Sequence, residues 1–270
     1  MDELADEPCV VLCDLDGVVW LAHVPIAGSV DAIAQLRAAG HRVLFVTNNS
    51  AARVEVQEAS LAAIGIPASG DVLTSANAAA LLLHPGERVL VCGGEGVVQA
   101  VNGRGAVVVS PTDEHVDVVV VGFHRTFDYD EMLTSSRAVR NGARLIGTND
   151  DATYPTPDGP IPGGGAILAS IVTASGVAPI VAGKPHEPMA ALVRATIGDA
   201  AAKNAVMVGD RPETDGLMAS MLGCRYAHVE SGITAPGTSV SPTPDVVAAN
   251  LAGVAKVLID EGVTRGKLRA

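Results

Sequence analysis

Short runs of consecutive apolar residues, each followed by a turn signal and a helix-like stretch, constrain this chain most. CVVLCDL, RVLFVTNN, RVLVCGG, VDVVVVGF, RLIGTN, PIVAGKP, NAVMVGDR and CRYAHVES occur in that order. Between them lie stretches with helical spacing, such as SVDAIAQLRAAG, where Ile33 and Leu36 are apolar and Gly40 is a stop signal. Alternation of this kind predicts a doubly wound, mainly parallel sheet with helices on its faces. The pattern restarts near Arg88, and the expected helices include one from Glu213 and a last one over Val247–Ile259.

A length of 270 residues suits one large or two modest domains. Hydrophobic residues make up 48% and aromatics only 3%, so the expected core is Ala, Val, Leu and Ile. The formal charge of -12 disfavours nucleic acid and anionic membrane as partners. A bound cation can still invert the sign of one pocket, so an anionic substrate remains compatible. No apolar run reaches the roughly 18 residues of a membrane span. The start, MDELADEPC, is acidic and unlike a secretory leader, so the cytoplasm is expected. Cys9, Cys13, Cys92 and Cys224 form no CxxC pair, no HExxH is present, and the seven histidines show no ligand spacing. Zinc is therefore not expected, although His124 and His186 border the motifs.

In an open parallel sheet, ligands bind beyond the carboxyl ends of the strands. Asp14 with Asp16, then Thr47 with Asn48 and Asn49, then Lys184, then Asp210 with Asp215 all follow strand-like runs. Carboxylates, a hydroxyl, amides and a lysine together suit phosphoryl transfer. Carboxylate oxygens with waters and a phosphate oxygen complete an octahedral Mg2+ site. Asp14 can bind metal with one oxygen and attack phosphorus with the other. Lys184 screens the repulsion between them, and Thr47 donates to a phosphoryl oxygen. Gly17 lets the chain turn tightly towards the phosphate. Asp16, two residues from Asp14, suits a general acid, an effect worth about 10²–10⁴-fold. Asn49 has a simpler alternative as a loop-shaping cap, and Asp215 as a partner for a helix dipole.

DLDGV, TNNS, GKP and GDRPETD, in that order, resemble the four motifs of haloacid-dehalogenase-like phosphohydrolases. TSANAAALLL, GFHRTFDYDEML, TNDDATYPTPDGPIPGGGA and AGKPHEP narrow the resemblance to the NagD-like, class IIA subfamily, over about Cys9 to Leu258. The resemblance implies Asp14 as nucleophile and Asp16 as acid and later base. It implies Thr47 and Asn48 at the phosphate, and Lys184 steadying nucleophile and phosphate. It implies Asp210 as Mg2+ ligand beside the Asp14 side chain and the Asp16 carbonyl, with Asp215 as a second acid near the metal. It further implies a Rossmann-like core, 1–82 and 180–270, with an inserted α/β cap, 83–179. Two departures stand out: Gly216 where an aliphatic residue is usual, and Ala22 where glycine is common.

The expected function is Mg2+-dependent hydrolysis of a small-molecule phosphate monoester through an aspartyl-phosphate. The alternative is a phosphate-binding or receiver-like phosphoacceptor with little turnover. Against a receiver stand the second acid of DLD and the roughly 100 residues inserted between Thr47 and Lys184. The expected partner is a small phosphorylated metabolite, with a homodimer allowed. The polar loop from Asn149 to Pro162 is long enough to suspect function. Its large side chain, Tyr154, is a candidate substrate contact, and Asp150 and Asp151 are candidates for sorting leaving groups by charge.

Overall fold

The computed structural model describes residues 9–156, 158–232, 234–235 and 237–260. Most of the acidic N-terminal run, residues 1–8, and Pro157 of the long loop lie outside them. In chain order the strands are β1 (Val10–Cys13), β2 (Trp20–Leu21), β3 (Val24–Pro25), β4 (Arg42–Thr47), β5 (Val72–Thr74), β6 (Arg88–Cys92), β7 (Val107–Val108) and β8 (Val118–Val121). They continue with β9 (Arg144–Gly147), β10 (Thr153–Tyr154), β11 (Ile161–Pro162), β12 (Ile180–Val181), β13 (Val206–Gly209), β14 (Arg225–Val229) and β15 (Val246–Ala248). The helices are α1 (Ser29–Ala38), α2 (Val54–Ala63), α3 (Ser75–Ala80), α4 (Glu95–Gly103) and α5 (Tyr129–Arg140). After them come α6 (Gly164–Ser175), α7 (Glu187–Ile197), α8 (Asp199–Asn204), α9 (Leu217–Leu222) and α10 (Leu251–Asp260).

The chain divides into two compact units. The first joins the described residues up to Val46 to Glu58–Val72 and to the described residues from Val193 onward. The second joins Thr47–Gln57 to Leu73–Leu192.

A six-stranded sheet runs in the order β15-β14-β13-β1-β4-β5, parallel at every pairing from β15 to β4. Chain order reverses beside β1: the chain leaves towards β4 and returns through β13 on the other side. A crevice opens at such a switch point, and β1 and β13 are the strands that carry acids into it. Val11, Leu12, Val43, Leu44, Val206, Met207 and Val208 are buried, as continuous apolar strands covered on both faces should be. Helices α1 and α10 pack together, with Ile33 and Leu36 buried on one and Val254 and Leu258 on the other.

The second unit holds a five-stranded, all-parallel sheet, β12-β9-β8-β6-β7. Val119, Val121 and Leu145 from its strands pack with Val139 of α5 and Ile167, Leu168 and Ile171 of α6. Ile180–Val181, within the run expected to open the second part of the core, pairs instead with β9 of this sheet. The expected helix over Val247–Ile259 is shorter: Val246–Ala248 is an edge strand beside β14, and the helix starts at Leu251. The expected helix from Glu213 begins as a single π-type turn, Pro212–Gly216, before α9.

Both departures from the resembled pattern have a local cause or cost. A Cβ on Gly216 would lie 2.9 Å from Pro242 and 3.0 Å from Tyr226, so the close approach of Pro242 excludes a larger residue. Ala22 has φ +46°, in the left-handed region that favours glycine. No helix among the described residues is long and apolar enough to cross a membrane. Ala22→Gly should relieve this backbone strain and raise the unfolding free energy by up to about 1 kcal/mol, measured by urea titration. A loss of stability would show that the Ala22 methyl packs more favourably than its backbone is strained.

Candidate active site

The first unit supplies the acids. Asp14 extends β1 by one residue, its N–H donating to the Val208 carbonyl at 2.9 Å, so the β1–β13 ladder fixes where it stands. The chain then turns: Gly17 N–H donates to Trp20 O at 2.8 Å, and Gly17 takes φ +92°. Asp210 follows β13, and Asp215 lies in the π-type turn, a form frequent at functional sites. One oxygen of each of Asp14, Asp210 and Asp215 comes within 4.8 Å of the others. All three are deeply placed, at 7%, 1% and 0% exposure. Asp16, half-buried beside its bridge to Trp20, is not one of the three.

Glycines shape the space around these acids. A Cβ on Gly17 would lie 2.6 Å from the Asp210 carboxylate, one on Gly232 would overlap the same group, and one on Gly209 would overlap Asp215. Backbone and hydroxyl donors hold the rest. Arg211 N–H donates to Asp215 Oδ2 at 3.1 Å, Thr234 Oγ1 to the Asp210 carbonyl at 2.7 Å, and Ser231 Oγ to the Gly17 carbonyl at 2.7 Å.

Three buried carboxylates this close are costly together unless a cation joins them. Tyr226 registers their field: burial first, then the charges of Asp215 and Asp210, push its phenol far up, so it stays neutral, 2.9 Å from His228 Nδ1. Burial pushes the His228 imidazole down, so this pair brings no positive charge. Hard oxygen donors in a cradle that a Cβ would fill suit Mg2+, which takes one or two carboxylates and keeps several waters. Asp14 and Asp210 are the residues that would hold it, with Asp215 beside them.

The second unit carries Thr47, Asn48, Asn49 and Lys184. Asn48 is a hub. Its Nδ2 donates to the Lys184 carbonyl and to Asp151 Oδ2, each at 3.0 Å, and its Oδ1 accepts from Lys184 N–H at 2.7 Å. Its carbonyl accepts from Ser75 Oγ at 2.7 Å and from Asn149 Nδ2 at 2.8 Å. Both amide protons of Asn48 are thus committed to holding Lys184 and the long loop. Gly183 is required here, since a Cβ would lie 2.5 Å from Asn48 Oδ1. Thr47 Oγ1 accepts from Asn49 N–H at 3.0 Å, and Asn49 Oδ1 accepts from Ala51 N–H at 3.0 Å, which is the loop-shaping role. Lys184 is 2% exposed.

Within the long loop, β10 and β11 form a small antiparallel ladder in which Tyr154 faces Ile161. Tyr154 stacks on Phe123, ring centroids 5.3 Å apart. Asp150 pairs with His186 Nε2 at 3.1 Å, and this hydrogen bond holds its carboxyl below the usual carboxylate range. Asp150 and Asp151 are therefore both engaged, one by His186 and the other by Asn48. Sequence reasoning missed Ser231, Thr234, Ser75 and Asn149. Ser231 and Thr234 had a usable signal, since Ser231 ends the strand-like run CRYAHVES and Thr234 lies just beyond it.

The haloacid dehalogenase-like hydrolase family matches residues 11–107, and a HAD-hydrolase-like family matches residues 181–252. A D-glycerol 3-phosphate phosphatase of Mycobacterium tuberculosis is 35% identical over 249 residues, 90% of this chain and 69% of the relative. An acid sugar phosphatase of Staphylococcus saprophyticus is 36% identical over 227 residues, 83% of this chain and 86% of the relative. The solved structure of a glycerol phosphate phosphatase from M. tuberculosis in complex with magnesium superposes with a TM-score of 0.82 at 32% identity, covering 94% of this chain and 78% of that one. The chain belongs to the haloacid dehalogenase-like hydrolases.

Gly17→Ala should disturb the Asp210 carboxylate and lower kcat/KM for phosphate release by about 10²-fold, the effect of an ångström-scale displacement at a reacting centre. Gly70→Ala is the control. It also sits at positive φ, +78°, but meets nothing within 4 Å. It should cost stability and leave kcat/KM unchanged. Equal losses in both variants would trace the effect to backbone strain alone.

Proposed function

We infer that the chain is a Mg2+-dependent phosphatase that hydrolyses a small phosphate monoester through an aspartyl-phosphate. The observation that carries this reading is the set of three buried carboxylates, Asp14 and Asp210 at the ends of the neighbouring strands β1 and β13 and Asp215 in the turn that follows, in a glycine cradle. Asp14 is the nucleophile: one carboxylate oxygen attacks phosphorus as the ester oxygen leaves. Asp16 gives its proton to the leaving oxygen, then takes one from the water that hydrolyses the acyl phosphate. Asp14, Asp210 and the Asp16 carbonyl hold the metal, with Asp215 orienting the group. Bound Mg2+ supplies charge neutralisation for nucleophile and phosphoryl oxygens. Thr47 and the backbone at Asn48 serve the phosphate, and Lys184 supplies positive charge to it. Asn48 positions that lysine through its own amide.

The relatives named above support a polyol or sugar phosphate as the substrate class. The net charge of -12 favours a metal-neutralised small anion over a polyanion, and the four free cysteines suit the cytoplasm.

Released inorganic phosphate tests the reaction. EDTA should stop release and Mg2+ restore it. Asp14→Asn should abolish turnover with the fold intact. Asp16→Asn should cost about 10²–10⁴-fold on an alkyl phosphate and less on p-nitrophenyl phosphate, whose leaving group needs little protonation. Phosphate trapped on Asp16, or equal losses on both esters, would overturn these assignments. Stoichiometric phosphate held by Asp14 without turnover would mark a phosphoacceptor.

Tyr154 reads the leaving group in this proposal, with Phe123 holding its ring. Tyr154→Ala should change the ratio of kcat/KM for the best sugar or polyol phosphate to that for p-nitrophenyl phosphate by at least about tenfold, or 1.4 kcal/mol. A parallel fall on both substrates would leave Tyr154 a packing residue.

A further inference from the structure

The second unit gathers Cys92, His124 and Glu131, whose ligand atoms all lie within 4.8 Å of one another. Cys92 ends β6, His124 lies just beyond β8, and Glu131 is in the first turn of α5. Cys92 Sγ is 3.8 Å from His124 Nε2, which is 3.5 Å from Glu131 Oε2. Around a tetrahedral zinc ion, bond lengths of about 2.3 Å to sulfur and about 2.0 Å to nitrogen and oxygen place sulfur and nitrogen about 3.5 Å apart. The same bonds place nitrogen and oxygen about 3.3 Å apart. The two pairs that meet at His124 are a few tenths of an ångström from that geometry, and the sulfur and the carboxylate oxygen lie within 4.8 Å of each other.

Its surroundings suit the same ion. His124 Nδ1 is 3.1 Å from Thr126 Oγ1, a second bond of the kind that fixes the tautomer and turns Nε2 to a metal. Phe127 meets the His124 ring edge-on at a centroid distance of 6.0 Å. Glu131 Oε2 is buried and makes no hydrogen bond. Asp128 accepts from Glu131 N–H at 2.9 Å, which fixes the turn that carries the glutamate. A cavity of about 160 Å³ adjoins two of the three donors, lined in part by Cys92, Asp128, Glu131 and Ser135. Mixed sulfur, nitrogen and oxygen donors select zinc over the hard cation of the acid site.

We propose that Cys92, His124 and Glu131 form a zinc-binding site in the second unit, which ties the carboxyl ends of β6 and β8 to the start of α5. Three protein donors leave a fourth position for water. Binding displaces the Cys92 proton to solvent as the sulfur–metal bond forms. Without a cation that thiol stays protonated, because burial first and then the Glu131 charge push it up to about 12. Cys92 is accordingly a poor nucleophile until a metal ionises it.

Co2+ is the optical probe, added to EDTA-stripped protein after excess Mg2+ has been restored. One equivalent should produce a near-ultraviolet thiolate-to-cobalt charge-transfer band and strong tetrahedral visible bands, all displaced by Zn2+. Cys92→Ser should abolish the thiolate band. His124→Ala and Glu131→Gln should each weaken binding by at least tenfold, and Thr126→Val by roughly tenfold. Far-ultraviolet circular dichroism and basal phosphate release guard against unfolded variants. Zinc should also raise the melting temperature of the starting protein and not of His124→Ala. No thiolate band in the starting protein, or an equal band in Cys92→Ser, would overturn the proposal.

Discussion

Burying Asp14, Asp210 and Asp215 together is the constraint around which the first unit is organised. At an effective dielectric near 20, unit charges at this separation repel by roughly 3–4 kcal/mol per pair. Such a cluster persists only where the fold holds it by other means. The β1–β13 ladder carries Asp14, the residue after β13 is Asp210, and the π-type turn brings Asp215 back. Glycines at 17, 209 and 232 keep other atoms out, and Ser231 and Thr234 fasten neighbouring carbonyls. The stability spent on this arrangement is recovered when a divalent cation binds, so metal affinity and fold stability are linked.

The second unit solves a different problem, that of holding a buried lysine in place. It uses the neutral amide of Asn48, which can donate twice and accept at once. One side chain thereby fastens the Lys184 backbone on both sides and the Asp151 carboxylate. A charged residue there would lack either the donors or the acceptor. The long loop is likewise fastened, by Asp150 to His186, by Asp151 to Asn48 and by Tyr154 to Phe123.

The fold class was legible because fully buried parallel strands leave continuous apolar runs, and the acids because they stand directly after two of those runs. The family resemblance was legible in four short motifs. What stayed hidden depends on pairing between distant segments. Ile180–Val181 offers two residues, too few for periodicity to show which sheet it joins. Val246–Ala248 is apolar and adjoins a helical stretch, so the strand merged with the helix in the sequence reading. The role of Asn48 as a clamp depends on Lys184, 136 residues later, and Cys92 reaches His124 across 32. Those spacings match no short motif; Cys92 and His124 meet because β6 and β8 pair in the five-stranded sheet.

The division of the chain has a consequence for how such proteins recombine. Lys184 follows a strand of the five-stranded sheet, and its clamp, Asn48, lies in the short segment 47–57 that belongs to the same unit. A chimera that exchanged only Leu73–Leu192 would separate the lysine from its holder. A viable swap must carry both segments at once, so the lysine and its support are inherited as a module, while the acids stay with the recipient. Diversification of substrate use by exchange of this unit would then preserve the nucleophile and renew the scaffold that carries the cation.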